Sequence, residues 1–274
     1  MSIYQCITTG YVKMRFELYL TEDRSKSLKE EDFVKLIKSG VYDDAIKGFD
    51  KKQGILFRGV MGSKYTSYTI IDPTKGRLRR SANTSNEYTL LVDNLPEWKD
   101  YPKRGRSLIC TTDEYYATGF GDVRIILPVN GAKLGVCKGG DFWDSFTLIF
   151  PELRATEMDS FNKRLQEIIG MDFDKNWPTL RKQINRFDKD ELDFYVSGQW
   201  RSLIDKHGSL MKSLKYILDP KNNEFYLSQI GKSLMGLGEV WTDSPCISIS
   251  VDESVSMSDD IIKKVGYIKE IRNI

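Results

Sequence analysis

The stretch Gly105–Val136, GRSLICTTDEYYATGFGDVRIILPVNGAKLGV, constrains the fold of this chain more than any other. An apolar run ending at a pair of hydroxyls predicts a strand over Ser107–Cys110, and helix formers after Thr112 predict a short helix over about Asp113–Phe120. β-Branched residues after Gly121 predict a second strand, Val123–Pro128, and Asn130-Gly131 reads as the turn into a third. Thr112 is the expected N-cap, with Asp113 and Glu114 favoured in the first turn by the helix dipole. A helix opening off a strand end is also a place where an anion can bind.

Two other segments give this one meaning. Upstream, Gly54–Val60 (GILFRGV) is a short apolar strand with one arginine, Arg58, followed by Gly59. Downstream, Gly238–Ser250 (GEVWTDSPCISIS) puts Glu239 at the head of another strand-like run. An arginine on a first strand, hydroxyls ending a second and a glutamate leading a later one resemble the ADP-ribosyltransferase superfamily of the Arg–Ser–Glu class, in its phage and bacterial toxin-type members. Leu108-Ile109-Cys110-Thr111-Thr112 sits where that family has an aromatic-aliphatic pair and then Ser-Thr-Ser, and Ala117 and Phe120 fall where its following helix packs.

The resemblance implies roles. Arg58, beside Gly59, would hold the NAD phosphates, and Glu239 would steady the ribosyl oxocarbenium ion; these are the expected catalytic pair. Thr111 and Thr112 would position Arg58 and the nicotinamide ribose, and Tyr115 or Tyr116 would stack on the nicotinamide ring. Cys110 stands in place of the first serine, so the hydroxyl that orients the arginine is either missing or supplied by Ser107. Leu237, two before Glu239, occupies the position where arginine-modifying members carry a second glutamate, which points away from arginine as the acceptor.

Composition excludes several alternatives. The chain has 274 residues, 40% hydrophobic and 29% charged, an ordinary globular balance able to bury a substantial core. No apolar run approaches a membrane span, and the first residues lack the layout of a signal peptide, so cytoplasmic residence with no membrane partner is the expectation. Four scattered cysteines and one histidine argue against a disulfide framework and against a zinc site; no metal is expected. GxGxxG, GxxxxGK[ST] and GxSxG are all absent, removing the usual dinucleotide, triphosphate and serine-hydrolase signatures.

The net charge of +2 decides nothing, but its distribution does. Lys75, Arg77, Arg79 and Arg80 cluster, as do Lys99, Lys103, Arg104 and Arg106, and both clusters flank the proposed cofactor strands. Clustered cations can track the phosphates of NAD or of a nucleic acid; a solvated loop is the plainer alternative. The run RRSANTSNEY from Arg79 suits a loop that bonds phosphate or ribose, with Arg80 and Asn83 as contacts, although Ser85 or Asn86 equally starts a helix over Glu87–Val92. Arg77, Arg79 and Lys103 are the expected acceptor contacts. Asp141 and Asp144 form a candidate acid/base or Mg²⁺ pair, and His207 a candidate base.

Residues 28–39 read as a helix capped by Ser27, residues 43–49 as another, and 151–235 as a helical insertion with apolar spacing at Leu165, Ile168 and Ile169, then Leu180, Ile184 and Phe187. β structure returns over Glu239–Val251, and Asp259–Asn273 carries a mixed helix and strand signal. The fold expected is α+β, a single domain over 1–274 with a split, mixed β-sheet NAD-binding core and a helical insertion. The activity expected is transfer of ADP-ribose from NAD to a macromolecule, nucleic acid ahead of protein, in a toxin or phage–host conflict factor with an inhibitor protein as a further partner. A non-catalytic nucleic-acid-binding protein and a metal-dependent nuclease are the alternatives.

Overall fold

The computed structural model describes residues 25–51, 54–62, 66–75, 78–79, 86–148, 177–186, 198–234, 238–252 and 256–272. The chain divides into two compact units, one of Met1–Asn83, Tyr101–Gly140 and Leu227–Ile274, the other of Thr84–Asp100 and Asp141–Tyr226.

The first unit is built on β1 (Ser25–Leu28), α1 (Glu30–Lys38), α2 (Asp43–Gly48), β2 (Leu56–Val60), β3 (Tyr68–Ile71), β4 (Leu108–Thr111), α3 (Glu114–Thr118), β5 (Asp122–Pro128), β6 (Lys133–Cys137), the part of β7 (Phe225–Gln229) from Leu227 on, β8 (Glu239–Thr242), β9 (Cys246–Ser250) and α4 (Met257–Arg272). The strands form one sheet in the order β1-β3-β9-β5-β2-β4-β8-β6-β7. Interior strands are covered on both faces, which is why β4, β5, β6 and β9 read as near-continuous apolar runs. The edge strands β1 and β7 are partly exposed.

Every described register is antiparallel, where the sequence predicts a mixed sheet. The reason lies in one connection. β4 and β5 run the same way, joined through α3, but they are not neighbours: β2 lies between them, antiparallel to both. Gly59 makes this fit. A β-carbon there would stand 2.1 Å from the Ala117 carbonyl oxygen, so α3 rests directly on the β2 backbone.

Element boundaries differ from expectation in explicable ways. Ser27 belongs to β1, paired with Thr69, and does not cap α1, whose N-cap is Lys29 without a side-chain bond. The mixed signal after residue 256 resolves as helix, α4, tied to the start of α2 by Arg272 Nε donating to Asp43 Oδ1 at 2.6 Å. That bond holds the Asp43 carboxyl below the usual carboxylate range. Among the described residues, no helix is long and apolar enough to cross a membrane.

The second unit contains helices Asn86–Asn94, Trp177–Arg186, Gly198–His207 and Leu210–Leu218. Its core is an aromatic cluster of Trp98, Phe142, Phe146 and Phe225, with ring centroids 4.7 to 6.1 Å apart. Trp98 Nε1 donates to Leu218 O at 2.7 Å, satisfying the indole in the interior. The helical spacing at Leu165, Ile168, Ile169 and Phe187 lies outside the described residues.

Trp241 on β8 depends on a second glycine. A β-carbon on Gly135 would fall 2.2 Å from the indole ring. Gly135→Ala is therefore expected to lower the free energy of unfolding by about 1–3 kcal/mol, the usual cost of overpacking, measured by denaturant titration.

Candidate functional site

The three segments singled out in the sequence lie side by side. β2 carries Arg58, β4 ends in Thr111 and β8 begins with Glu239, and they are consecutive in the sheet. Thr111 is the direct cross-strand partner of Glu239, and Cys110 that of Val240. β2 and β4 share one residue pair, Phe57 opposite Thr111, so the sheet has a thin seam there. Side chains alternate along a strand, so Phe57, Thr111 and Glu239 form one row on one face. Arg58, one residue along, falls on the alternate face in the row of Cys110 and Val240. The hydroxyl beside the glutamate is thus that of Thr111. Ser107 donates its hydroxyl proton to Lys103 O at 2.6 Å.

Glu239 is held from two sides. Its backbone N–H donates to Gly140 O at 2.7 Å, and its Oε1 is ion-paired with Arg104 Nη1. Both side chains are largely removed from water. Arg104 lies over the Trp241 ring, 5.4 Å from its centroid, and the Trp241 indole donates to Pro102 O at 3.0 Å. Lys103 N donates to Asp243 Oδ2 at 3.0 Å, which fastens the same loop to the end of β8. The sequence places Arg104 in a basic cluster that suits phosphates or a solvated loop, not in a buried ion pair. No local pattern marks it, because its burial comes from Trp241, far away in the chain.

Arg58 Nη1 donates to Ile109 O at 2.9 Å. A backbone carbonyl therefore orients it, where the sequence expected threonine hydroxyls. Thr111 Oγ1 instead accepts from Asp113 N at 3.2 Å. Cys110 sits fully buried near Arg58, and burial pushes its thiol up to about 12, with Arg58 pulling it down and Glu239 raising it. Such a thiol stays protonated and unreactive. Directly across from Arg58 on β5 is a second buried arginine, Arg124, also missed in the sequence. Its Nε donates to Ser248 Oγ at 2.6 Å and its Nη2 to Thr66 O at 2.8 Å. A lone charge inside DVRIILP was the available signal.

The corner after β4 differs from expectation. Asp113, not Thr112, is the N-cap of α3, accepting from Tyr115 N at 2.9 Å and Tyr116 N at 3.0 Å. The helix end expected to receive an anion is occupied by the chain's own carboxylate. Thr112 is buried and lines a cavity of about 310 Å³ with Lys51, Phe57, Glu114, Ser258 and Ile261. Tyr115 and Tyr116 do not line it; they are 69% and 39% exposed.

Of the remaining candidates, Arg77, Arg80, Asn83 and Leu237 lie outside the described residues. Arg79 N donates to Gly105 O at 2.7 Å, which joins the two basic loops of the first unit. Asp141 Oδ1 accepts from Trp143 N and Asp144 N at 2.7 and 2.9 Å, which caps the turn. His207 stacks on Tyr216 at 4.3 Å. Among the described residues, no three of His, Cys, Asp and Glu gather to hold a metal ion.

Removing one partner of a buried ion pair leaves an uncompensated charge. Arg104→Met is expected to cost about 3–5 kcal/mol of stability, and adding Glu239→Leu to recover most of it, read by denaturant titration of both variants. Compared with known protein families, with curated proteins and with solved structures, the chain matches none.

Proposed function

We propose that this chain is an ADP-ribosyltransferase that takes ADP-ribose from NAD and transfers it to a macromolecule. The observation that carries the reading is the adjacency of β2, β4 and β8, with Glu239 directly opposite Thr111 on one face and Arg58 on the other face at the β2–β4 seam.

The chemistry asks little of covalent catalysis. The bond between nicotinamide and ribose breaks, nicotinamide leaves with the electron pair, and positive charge develops on the ribose. A fixed carboxylate near that charge lowers the barrier electrostatically, as in glycoside hydrolysis. Glu239 meets the requirement in a specific way. Arg104 engages Oε1, which is buried, leaving Oε2 for a ribose hydroxyl. Arg104 thus fixes one oxygen of the carboxylate. Arg58 supplies a planar fork of donors, of which one is committed to Ile109 O and the rest suit a diphosphate. The ribose would rest against Thr111 and Glu239 on one face of the sheet, and the diphosphate would have to pass around the thin β2–β4 seam to reach Arg58, which is on the other face. The acceptor nucleophile then attacks the anomeric carbon and gives up its proton.

Glu239→Gln keeps the shape of the side chain but removes its charge. NAD consumption per folded molecule is expected to fall by about 10²-fold or more, and activity within a few-fold of wild type would overturn the assignment. Arg58→Lys keeps the charge and loses the fork. It is expected to weaken NAD binding by about tenfold with little change in Tm; a large Tm drop at unchanged affinity would mark Arg58 as purely structural.

A further inference from the structure

The cavity beside Thr112 is enclosed by separate elements of the first unit. Lys51 comes from the loop after α2, Ile55 and Phe57 from the entry to β2, Glu114 from the first turn of α3, and Ile261 and Ile262 from α4. Its volume, about 310 Å³, lies at the small end of the range that holds compact metabolites. The walls are fixed without a ligand. A β-carbon on Gly54 would stand 1.9 Å from Gly48 O, so the Lys51 loop can close this tightly only with glycine there. Gly54 N donates to Lys51 O at 3.1 Å, and Asp50, the residue before Lys51, is ion-paired with Lys269 of α4. Loop, strand and helix are thus tied together around the space.

The lining is apolar apart from two hydroxyls and two charges. Lys51 is its one cation and Glu114 its one carboxylate. Among the described residues neither makes an ion pair, with the other or with any third group. Acids that flank the lining residues in sequence are engaged elsewhere. Asp50 holds Lys269, Asp113 caps α3, and Asp260 accepts from Asp252 N at 2.8 Å and pairs with Lys264 at 3.5 Å. Opposite charges that line one cavity and stay apart define what fits between them. A ligand with a single charge would satisfy one group and leave the other facing it unpaired, and a wholly apolar ligand would desolvate both. A zwitterion answers both at once.

We infer that the cavity binds a free α-amino acid with an apolar side chain, its carboxylate on Lys51, its ammonium on Glu114 and its side chain against Phe57, Ile261 and Ile262. Phe57 stands in the row of Thr111 and Glu239, one and two strands away, about 5 and 10 Å by strand spacing. The occupant is therefore a neighbour of the candidate carboxylate, outside the NAD chemistry, and its binding does not rest on the transferase reading.

The test is isothermal titration calorimetry of the full chain, without NAD, using L-leucine and L-phenylalanine as probes. One or both should bind with a Kd of about a millimolar or tighter. The matching amines without a carboxylate (isoamylamine, phenethylamine) and acids without an ammonium (isocaproate, hydrocinnamate) should bind about tenfold more weakly or worse, the scale of one charge-assisted hydrogen bond. Lys51→Met and Glu114→Gln should each weaken amino-acid binding by about tenfold and narrow the gap to the analogue that lacks the matching charge. Neither side chain has an ion-pair partner to lose, so both variants should keep the wild-type Tm. Ile262→Trp, at a side chain 69% exposed, should fill the cavity from its solvent side and abolish binding. No binding of either amino acid at about 10 mM, an amine or acid that binds as tightly as its amino acid, or binding unchanged in Ile262→Trp would each overturn the inference. Failure of the transferase reading would show elsewhere, as wild-type protein that leaves NAD intact.

Discussion

The Ala117 carbonyl occupies the place where a side chain on Gly59 would begin, and much of the first unit follows from that contact. A connection as short as α3 cannot swing wide of the sheet, so β4 and β5 stay one strand apart and a slot opens between them. β2 fills the slot only if its backbone passes directly beneath the helix. With any larger residue at position 59, helix and strand would separate, the β2–β4 seam would open further, and Arg58 would lose its hold on Ile109 O. Glycine here answers to space rather than to turn geometry.

The buried pair of Arg104 and Glu239 imposes a different constraint. Two charges taken from water are worth little to stability even when well matched, and an apolar pair of the same size would serve the fold as well or better. What the pair does fix is geometry, since neither group can turn away without leaving a charge unpaired. Trp241 supports that view. It covers Arg104 with its ring, ties its own indole to Pro102 and needs Gly135 beneath it. Three separate segments are committed to the orientation of one carboxylate.

Much of this was legible in the sequence. The strands and helix of Gly105–Val136 fall within a residue or two of expectation, because alternating faces and helix formers are local signals. The cap was misplaced for a reason outside the segment. Thr112 and Asp113 are both good caps, and the choice depends on where β4 stops; pairing of Thr111 with Glu239 carries the strand one residue further and moves the cap with it. Arg104 and Arg124 were invisible as buried groups for the same reason, since their partners, Glu239 and Ser248, lie more than a hundred residues away. Thr111 rather than Cys110 faces the glutamate because register, which no local pattern encodes, decides which side chain meets which.

The strand order has a consequence for how the protein is made. β9 is the link between β3 and β5, and β8 the link between β4 and β6. Before those two strands leave the ribosome, the rest of the sheet exists as three unconnected pieces, β1-β3, β5-β2-β4 and β6-β7. A chain released short of Glu239 would hold apolar strand edges with nothing to pair them, and Arg104 would have no counter-charge. Pairing of Arg104 with Glu239 and closure of the gap between β4 and β6 are thus a single event, which waits on β8.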